Sequence, residues 1–235
     1  MSLPSGFVEN FFQRLQVEAF KDTTKLVQDL DAATQLMWTS ALKFCLAHEV
    51  ELCSIINAIL RLDHDVMVAP TVVLVRSLNR LCVTRTRVDG TPPRFPPGGH
   101  CWRGGGFDDS LKDFFCVGRQ YRVPGFLATS FSTVKTDEFV YRAVQDGGRS
   151  GILWHVLVDP RGENEFRHLC KHANYVSHTH VAGEAEYLFA PYSVFTVVDV
   201  TWSPTPDDRT PHRVTLQALT DNRDAPPGLP LAPWY

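Results

Sequence analysis

The sequence is poor in the features that mark a special class of protein. Six cysteines in 235 residues, irregularly spaced and without a C-x-x-C pair, do not make a disulfide framework, so reduced thiols are expected. No apolar run approaches the ~18 residues of a membrane span. Met1-Ser2-Leu3-Pro4 has neither the basic nor the apolar region of a secretion signal, and the chain reads as soluble, with no membrane partner. Two catalytic signatures are also missing. Ser130 lies in Gly125-Phe126-Leu127-Ala128-Thr129-Ser130, which is not a G-x-S-x-G elbow. Gly104-Gly105-Gly106 leads into Phe-Asp-Asp and not into a helix, which disfavours a Rossmann dehydrogenase. No internal repeat is visible.

What is present is ordinary in bulk and uneven in detail. Hydrophobic residues make up 44% and charged ones 21%, which excludes collagen-like, coiled-coil and disordered chains. A formal charge of −3 argues against a nucleic-acid partner. Its distribution is more informative: residues 1–75 carry 5 basic and 9 acidic side chains, residues 76–142 carry 11 and 6, and residues 143–235 carry 7 and 11. The middle segment is net positive between two negative flanks, which suits a small polyanionic ligand, with a solvated arginine-rich face as the plain alternative.

The first third has helical period. Leu52, Ile55, Ile56, Ile59 and Leu60 fall at i, i+3, i+4, i+7 and i+8, with an exit at Asp63 to Asp65. Looser stripes run through Phe11, Leu15 and Phe20, and through Leu36, Met37, Ala41 and Phe44. The run Val72, Val73, Val75, Leu78 after Pro70 is either a helix or a buried strand. From about residue 85 the texture changes to a Pro/Gly loop and then short strands: His100–Arg103, Val123–Phe131, Gly151–Val158, Glu184–Phe189, Ser193–Trp202 and His212–Leu219. Val134 to Val144 interrupts them as a short helix or loop. Helices first and strands afterwards predict an α+β domain over 1–224, helical to residue 80 and β-rich from 81. The four prolines of Ala225–Tyr235 predict a tail that is extended or disordered.

Two constellations could carry chemistry. His168, Cys170, His172, His178 and His180 lie within thirteen residues but match no zinc spacing, and no metal is expected. Glu184 and Glu186, at the start of an expected strand, would share one face as residues i and i+2. Paired carboxylates of this kind occur at acid/base and cation-stabilising sites, and also on exposed strand edges.

Three separated segments resemble the arginine-serine-glutamate class of mono-ADP-ribosyltransferases, the type of the binary toxins and ecto-enzymes. Cys101-Trp102-Arg103-Gly104-Gly105 resembles the aromatic-Arg-Gly strand of that family. Gly125 to Ser132 resembles its serine-threonine-serine strand. Gly183 to Pro191, with Phe195-Thr196-Val197, resembles its Glu-x-Glu strand and the strand that follows. The resemblance implies N-terminal helices packed on a two-sheet, mostly antiparallel core with NAD in a cleft. It implies NAD as substrate, an acceptor protein modified on arginine, and Glu186, Glu184 and Ser130 as catalytic residues. Arg103, Gly104, Thr129, Phe139 and Arg142 are the implied cofactor-binding residues: Arg103 and Arg142 for the phosphates, Gly104 and Phe139 for nicotinamide. The sequence departs from the family at Ala128, where the first serine of the motif stands, and at Val181, where an aromatic is usual. A monomer is expected, working in the cytoplasm or as a toxin or effector in a host cytoplasm. An NAD glycohydrolase and an inactive NAD- or protein-binding module are the alternatives.

Overall fold

The computed structural model describes Asn10, Gln13 and residues 30–40, 43–45, 49–83, 94–159 and 170–233. The expected stripe through Phe11, Leu15 and Phe20 lies outside these residues, as do Ala41 and His168. The chain forms two compact units, Met1–Leu81 with Val176–Ala182, and Cys82–Tyr175 with Gly183–Tyr235.

In the first unit, α1 (Leu30–Trp38) is followed by a hairpin of β1 (Lys43–Cys45) and β2 (Glu49–Glu51), then by α2 (Leu52–Leu62) and α3 (Asp65–Val83). Phe44, expected at the end of a helical stripe, is on a strand instead. The helix stops earlier because the hydroxyls of Thr39 and Ser40 donate to the carbonyls of Gln35 (3.1 Å) and Met37 (2.8 Å), competing with helical continuation. On α2 Leu52, Ile55, Ile56 and Ile59 of the expected stripe are buried and Leu60 is half-buried, and Asp63 caps the helix in the left-handed region (φ 47°) with its N–H on the Ile59 carbonyl. The ambiguous valine run belongs to α3. Burial there recurs at Met67, Thr71, Leu74, Leu78 and Cys82 while Val73 is exposed, a helical period and not a strand's alternation. The side chains of α1 hold Val176–Ala182: Gln35 Oε1 accepts from the N–H groups of Ser177 (2.8 Å) and His178 (3.3 Å), and Thr39 Oγ1 from that of His180 (3.2 Å).

The second unit contains β3 (His100–Phe107), β4 (Gln120–Val123), β5 (Leu127–Ser130), α4 (Thr133–Gln145), β6 (Ser150–Leu157), β7 (Ala173–Tyr175), β8 (Glu186–Phe189), β9 (Ser193–Thr201) and β10 (His212–Ala218). The α+β class is as expected. The strands run in one hydrogen-bonded order, β4-β9-β10-β6-β3-β5-β8-β7, antiparallel throughout except for β6 with β10. Where two sheets were expected, this order narrows between β3 and β5 to the single pair Trp102↔Ser130, leaving a five-strand part and a three-strand part. The strand expected over Val123–Phe131 is divided between β4 and β5, because Pro124-Gly125 bends the chain.

One face of this sheet carries the core, with Cys101, Phe107, Trp154, Val156, Tyr187, Phe189 and Phe195 all buried. Against the other face of β3 and β6 lies α4, opened by Ser132, whose hydroxyl accepts from Lys135 N–H at 3.3 Å. Of the tail, expected to be extended or disordered, the described part runs along β4: Arg122 N–H donates to Pro230 O at 2.9 Å and Ala232 N–H to Arg122 O at 2.8 Å, satisfying backbone groups of an exposed strand edge.

Candidate active site

At the narrow point of the sheet, Trp102 pairs with Ser130 and Ser130 with Glu186, so one row crosses β3, β5 and β8. Cross-strand partners share a face, and two strand spacings separate the ends of the row by about 10 Å. Glu186 is only 6% exposed. Beside the row, Arg103 Nη1 donates to the carbonyl of Ala128 at 3.0 Å. A continuing ladder would bring Gly104 opposite Ala128. The strands part there, and the Ala128 oxygen takes a guanidinium where a backbone N–H would have stood. The arginine therefore fills the joint between the two parts of the sheet.

Glu184 requires a correction. It was expected on the strand, on the same face as Glu186, but β8 begins at Glu186 and Ala185 has φ 47°. This left-handed residue breaks the alternation on which the shared face depended. The segment is instead pinned by its backbone. Ser130 Oγ donates to the Glu184 carbonyl, and Phe131 N–H donates to Ala185 O at 3.1 Å. The same Ser130 oxygen accepts from Ser132 N–H at 2.9 Å, linking the acidic segment to the start of α4. A hydroxyl has one proton, and Ser130 gives it to the main chain of Glu184.

The remaining predicted residues divide into two groups. Thr129 is 4% exposed, faces the core and donates to Tyr187 O at 2.7 Å, which makes it a tie between β5 and β8. Its hydroxyl also reaches the Cys101 thiol, which burial pushes up to about 12. Gly104 faces α4, and a Cβ there would lie 2.1 Å from Thr136 O and 2.8 Å from Val140 Cγ2. Phe139 and Arg142 are on α4, not in a loop, and pair with each other on its outer side: the guanidinium lies 5.6 Å from the ring centre, and Phe139 is 40% exposed. Arg142 also lines a surface depression with Asp137, Glu138, Tyr141 and Asp208. Thus Arg103, Gly104, Ser130, Glu184 and Glu186 converge at the β3–β5–β8 joint, and Phe139 with Arg142 begins one helical turn beyond the residue that covers Gly104.

Two neighbours of the row were not anticipated. Trp102 stacks on His155 with ring centres 5.6 Å apart, and His155 Nε2 is 2.8 Å from His100 Nδ1. Burial, and then the His100 ring, hold His155 below its ordinary pKa. Cys82 donates its thiol proton to Leu188 O at 3.3 Å. Burial raises its pKa, with the Glu186 carboxylate adding to the effect. Trp102 was legible as the aromatic before Arg103, whereas nothing in the sequence near Cys82 connects it with Glu186. His172, from the histidine-rich stretch, is buried and occupied by Ser193 Oγ (2.8 Å) and Leu219 O (2.5 Å).

Neither a protein-family model nor a curated protein sequence matches the chain. Solved structures do. Vis toxin, an ADP-ribosyltransferase from Vibrio splendidus, is 13% identical, with 93% of this chain and 88% of that one covered and a TM-score of 0.56. The ADP-ribosyltransferase HopU1 of Pseudomonas syringae is 17% identical over 87% of each chain, also at 0.56. Exoenzyme S from Pseudomonas aeruginosa, solved with human 14-3-3 protein beta and bound to carba-NAD, is 12% identical over 95% and 92%, at 0.55. At these identities the likeness establishes a shared fold: the chain has the α+β architecture of bacterial ADP-ribosyltransferases.

Proposed function

We propose that this protein is an NAD-dependent mono-ADP-ribosyltransferase that moves ADP-ribose to an arginine side chain of another protein and releases nicotinamide. The observation that carries the reading is the buried Glu186 in register with Ser130 and Trp102, beside a guanidinium at the joint of the sheet. Breaking the bond between nicotinamide and ribose builds positive charge on the sugar, and a fixed, buried carboxylate stabilises charge where it develops. Arg103 keeps four of its five N–H donors beyond the one given to Ala128, enough for bidentate contact with a pyrophosphate. Glu184, held by its carbonyl and not by its carboxylate in the bond to Ser130, accepts the proton that an arginine nitrogen loses when it attacks. The arginine preference rests on the Glu-x-Glu pattern, and a structure of the Vis enzyme with agmatine, itself a guanidine, is consistent with it. The reaction needs no metal. We place it in the cytoplasm of the producing cell or of a host, with the protein acting as a monomer.

The test is nicotinamide release from NAD. Glu186→Gln, nearly isosteric, should lower it by at least about a hundredfold with the fold intact by circular dichroism. Equal turnover would remove Glu186 from the mechanism. Glu184→Gln should spare hydrolysis and weaken transfer to agmatine.

A second reading has one observation in its favour. Because Ser130 spends its proton on the Glu184 carbonyl and Ala128 stands in place of a serine, neither residue donates to the Glu186 carboxylate. A module that binds NAD without cleaving it fits that arrangement. Saturable NAD binding with no nicotinamide release, across a panel of acceptors, would select it.

A further inference from the structure

One end of the sheet is closed by a short segment of tail and not by a strand. β4 ends the hydrogen-bonded order, and the tail lies along it. Arg122 N–H donates to Pro230 O and Ala232 N–H to Arg122 O, a parallel bridge between Arg122 and Leu231. Side chains alternate there as in a strand: Leu231 is 50% exposed, while Ala232 is 4% exposed and belongs to the core cluster. Around the bridge the packing is slight. Pro226, Pro227, Gly228, Pro230 and Pro233 are exposed, and Gly228 turns with φ 73°. The described hold on β4 is two backbone hydrogen bonds and one buried methyl group, which places the tail among the parts of a chain that open most readily. The tail also covers the edge without making another. Pro230 and Pro233 have no N–H, so a further strand cannot extend this segment as it could extend β4.

We propose that the tail is a detachable cover and that the β4 edge beneath it is a self-association surface, on which a second copy of this chain seats its own β4. The register follows from the backbone. β4 pairs antiparallel with β9, Tyr121 opposite Phe195 and Arg122 opposite Val194. Successive residues of such a strand turn their N–H and C=O groups to opposite neighbours. Arg122 turns its groups to the tail, so Gln120 faces the same way, while Tyr121 and Val123 face β9; Val123 O accepts from Tyr192 N–H at 2.6 Å on that side. A two-fold axis at Tyr121 therefore brings Gln120 of each copy opposite Arg122 of the other, and each such pair exchanges N–H···O bonds across the edge. These bonds replace the ones that the two tails give up. The register also sets each guanidinium across from an amide and not from its own counterpart, which would repel it. While bound, the tail keeps the chain a monomer, and its release joins two sheets into one.

The experiment uses the full chain. Ala232→Arg puts a long charged side chain where a methyl group is buried and expels the tail, and Ala232→Pro removes only the N–H that bonds Arg122. Sedimentation velocity over a range of protein concentrations reads mass, hydrogen exchange reads the edge, and circular dichroism checks the fold of each variant. Wild type should be a monomer. Both variants should form a dimer whose fraction rises with concentration and exceeds that of wild type at least about tenfold at equal loading, with the Arg122 amide protected while the tail amides exchange freely. A synthetic peptide of residues 225–235, Ala-Pro-Pro-Gly-Leu-Pro-Leu-Ala-Pro-Trp-Tyr, added in excess should refill the edge and return the dimer to monomer. Arg122→Pro, which removes the outward donor and is tolerated on an edge strand, should abolish the dimer in the Ala232→Arg background. A monomer at every concentration with the tail released overturns the proposal, as does a wild type that is dimeric with its tail in place. So does open-ended association, or a dimer that survives Arg122→Pro or excess peptide. None of these outcomes turns on nicotinamide release, so this proposal and the transferase reading fail separately.

Discussion

Substituting alanine for Gly104 separates the architecture of the joint from its chemistry, because the adjacent Gly105 is a built-in control. A methyl group at 104 would stand 2.1 Å from the backbone oxygen of Thr136 and 2.8 Å from Val140 Cγ2. Ordinary C···O contacts begin at about 3.3 Å, so α4 must retreat by about 1 Å over β3. The obstacle is helix backbone, which cannot turn aside as a flexible side chain can. Overpacking of this kind costs about 1–3 kcal/mol, and the upper end applies. A gain of about 0.4–1 kcal/mol from the lower entropy of the unfolded chain offsets part of it. The net loss of about 2 kcal/mol corresponds to a fall in Tm of about 4–8 °C for a chain of this size. Gly105 has nothing within 4 Å of its Cβ position, so Gly105→Ala should melt at or slightly above the wild-type temperature. Both variants are followed by circular dichroism on heating and by urea denaturation. If Gly104→Ala melts within about 1 °C of wild type, or Gly105→Ala falls equally far, the packing account of this glycine is wrong.

Three further outcomes are expected. Arg103→Ala should raise the KM for NAD by about ten- to a hundredfold, the equivalent of about 1.5–3 kcal/mol for a charge-assisted contact, and Arg103→Lys should recover little, since a point charge cannot serve the Ala128 carbonyl and a phosphate in the same plane; steady-state kinetics decides. Ser130→Ala leaves the Glu184 carbonyl and the Ser132 N–H without their partner and should cost about 1–3 kcal/mol in urea denaturation together with a lower kcat; an unchanged kcat would mean that pinning Glu184 does not matter to catalysis. His155 and His172 are both held below their ordinary pKa, chiefly by burial. Their unfolded forms protonate first, so stability present above the ordinary histidine value of about 6.5 should be lost as pH falls below it, and a urea midpoint as high at pH 5.5 as at pH 7.5 would contradict this.

How much of this was legible before the fold was known depended on whether a signal was local. The stripe of α2 is both a sequence pattern and a burial pattern, and it was readable. The valine run of α3 was not, since β-branched residues favour a strand locally and only the period of burial, set by packing, decides for a helix. The three motif segments could be recognised one by one. Their convergence follows from the pairing of β3 with β5 and of β5 with β8, which no local pattern encodes. Thr129 could be assigned to the opposite strand face from Ser130 by alternation alone, which points to the structural role it has. Glu184 could not be placed: alanine gives no warning of a left-handed conformation, and strand alternation was extended through Ala185 where the backbone breaks it.

The joint also explains why an arginine stands at 103 whatever ligand is present. Where β3 and β5 part, Ala128 keeps a carbonyl that β3 no longer satisfies, and the loss of such a bond in a partly buried place costs about 1–3 kcal/mol. Lysine could reach that oxygen, but with a compact, strongly hydrated ammonium that resists burial. A guanidinium donates one N–H to the carbonyl and retains a planar edge of further donors. Closing the sheet by a continued ladder would satisfy Ala128 equally well and would remove the opening. The opening therefore persists because a side chain, and not the neighbouring strand, completes the hydrogen bonding of Ala128, and the group that does so is the one proposed above to hold the NAD phosphates.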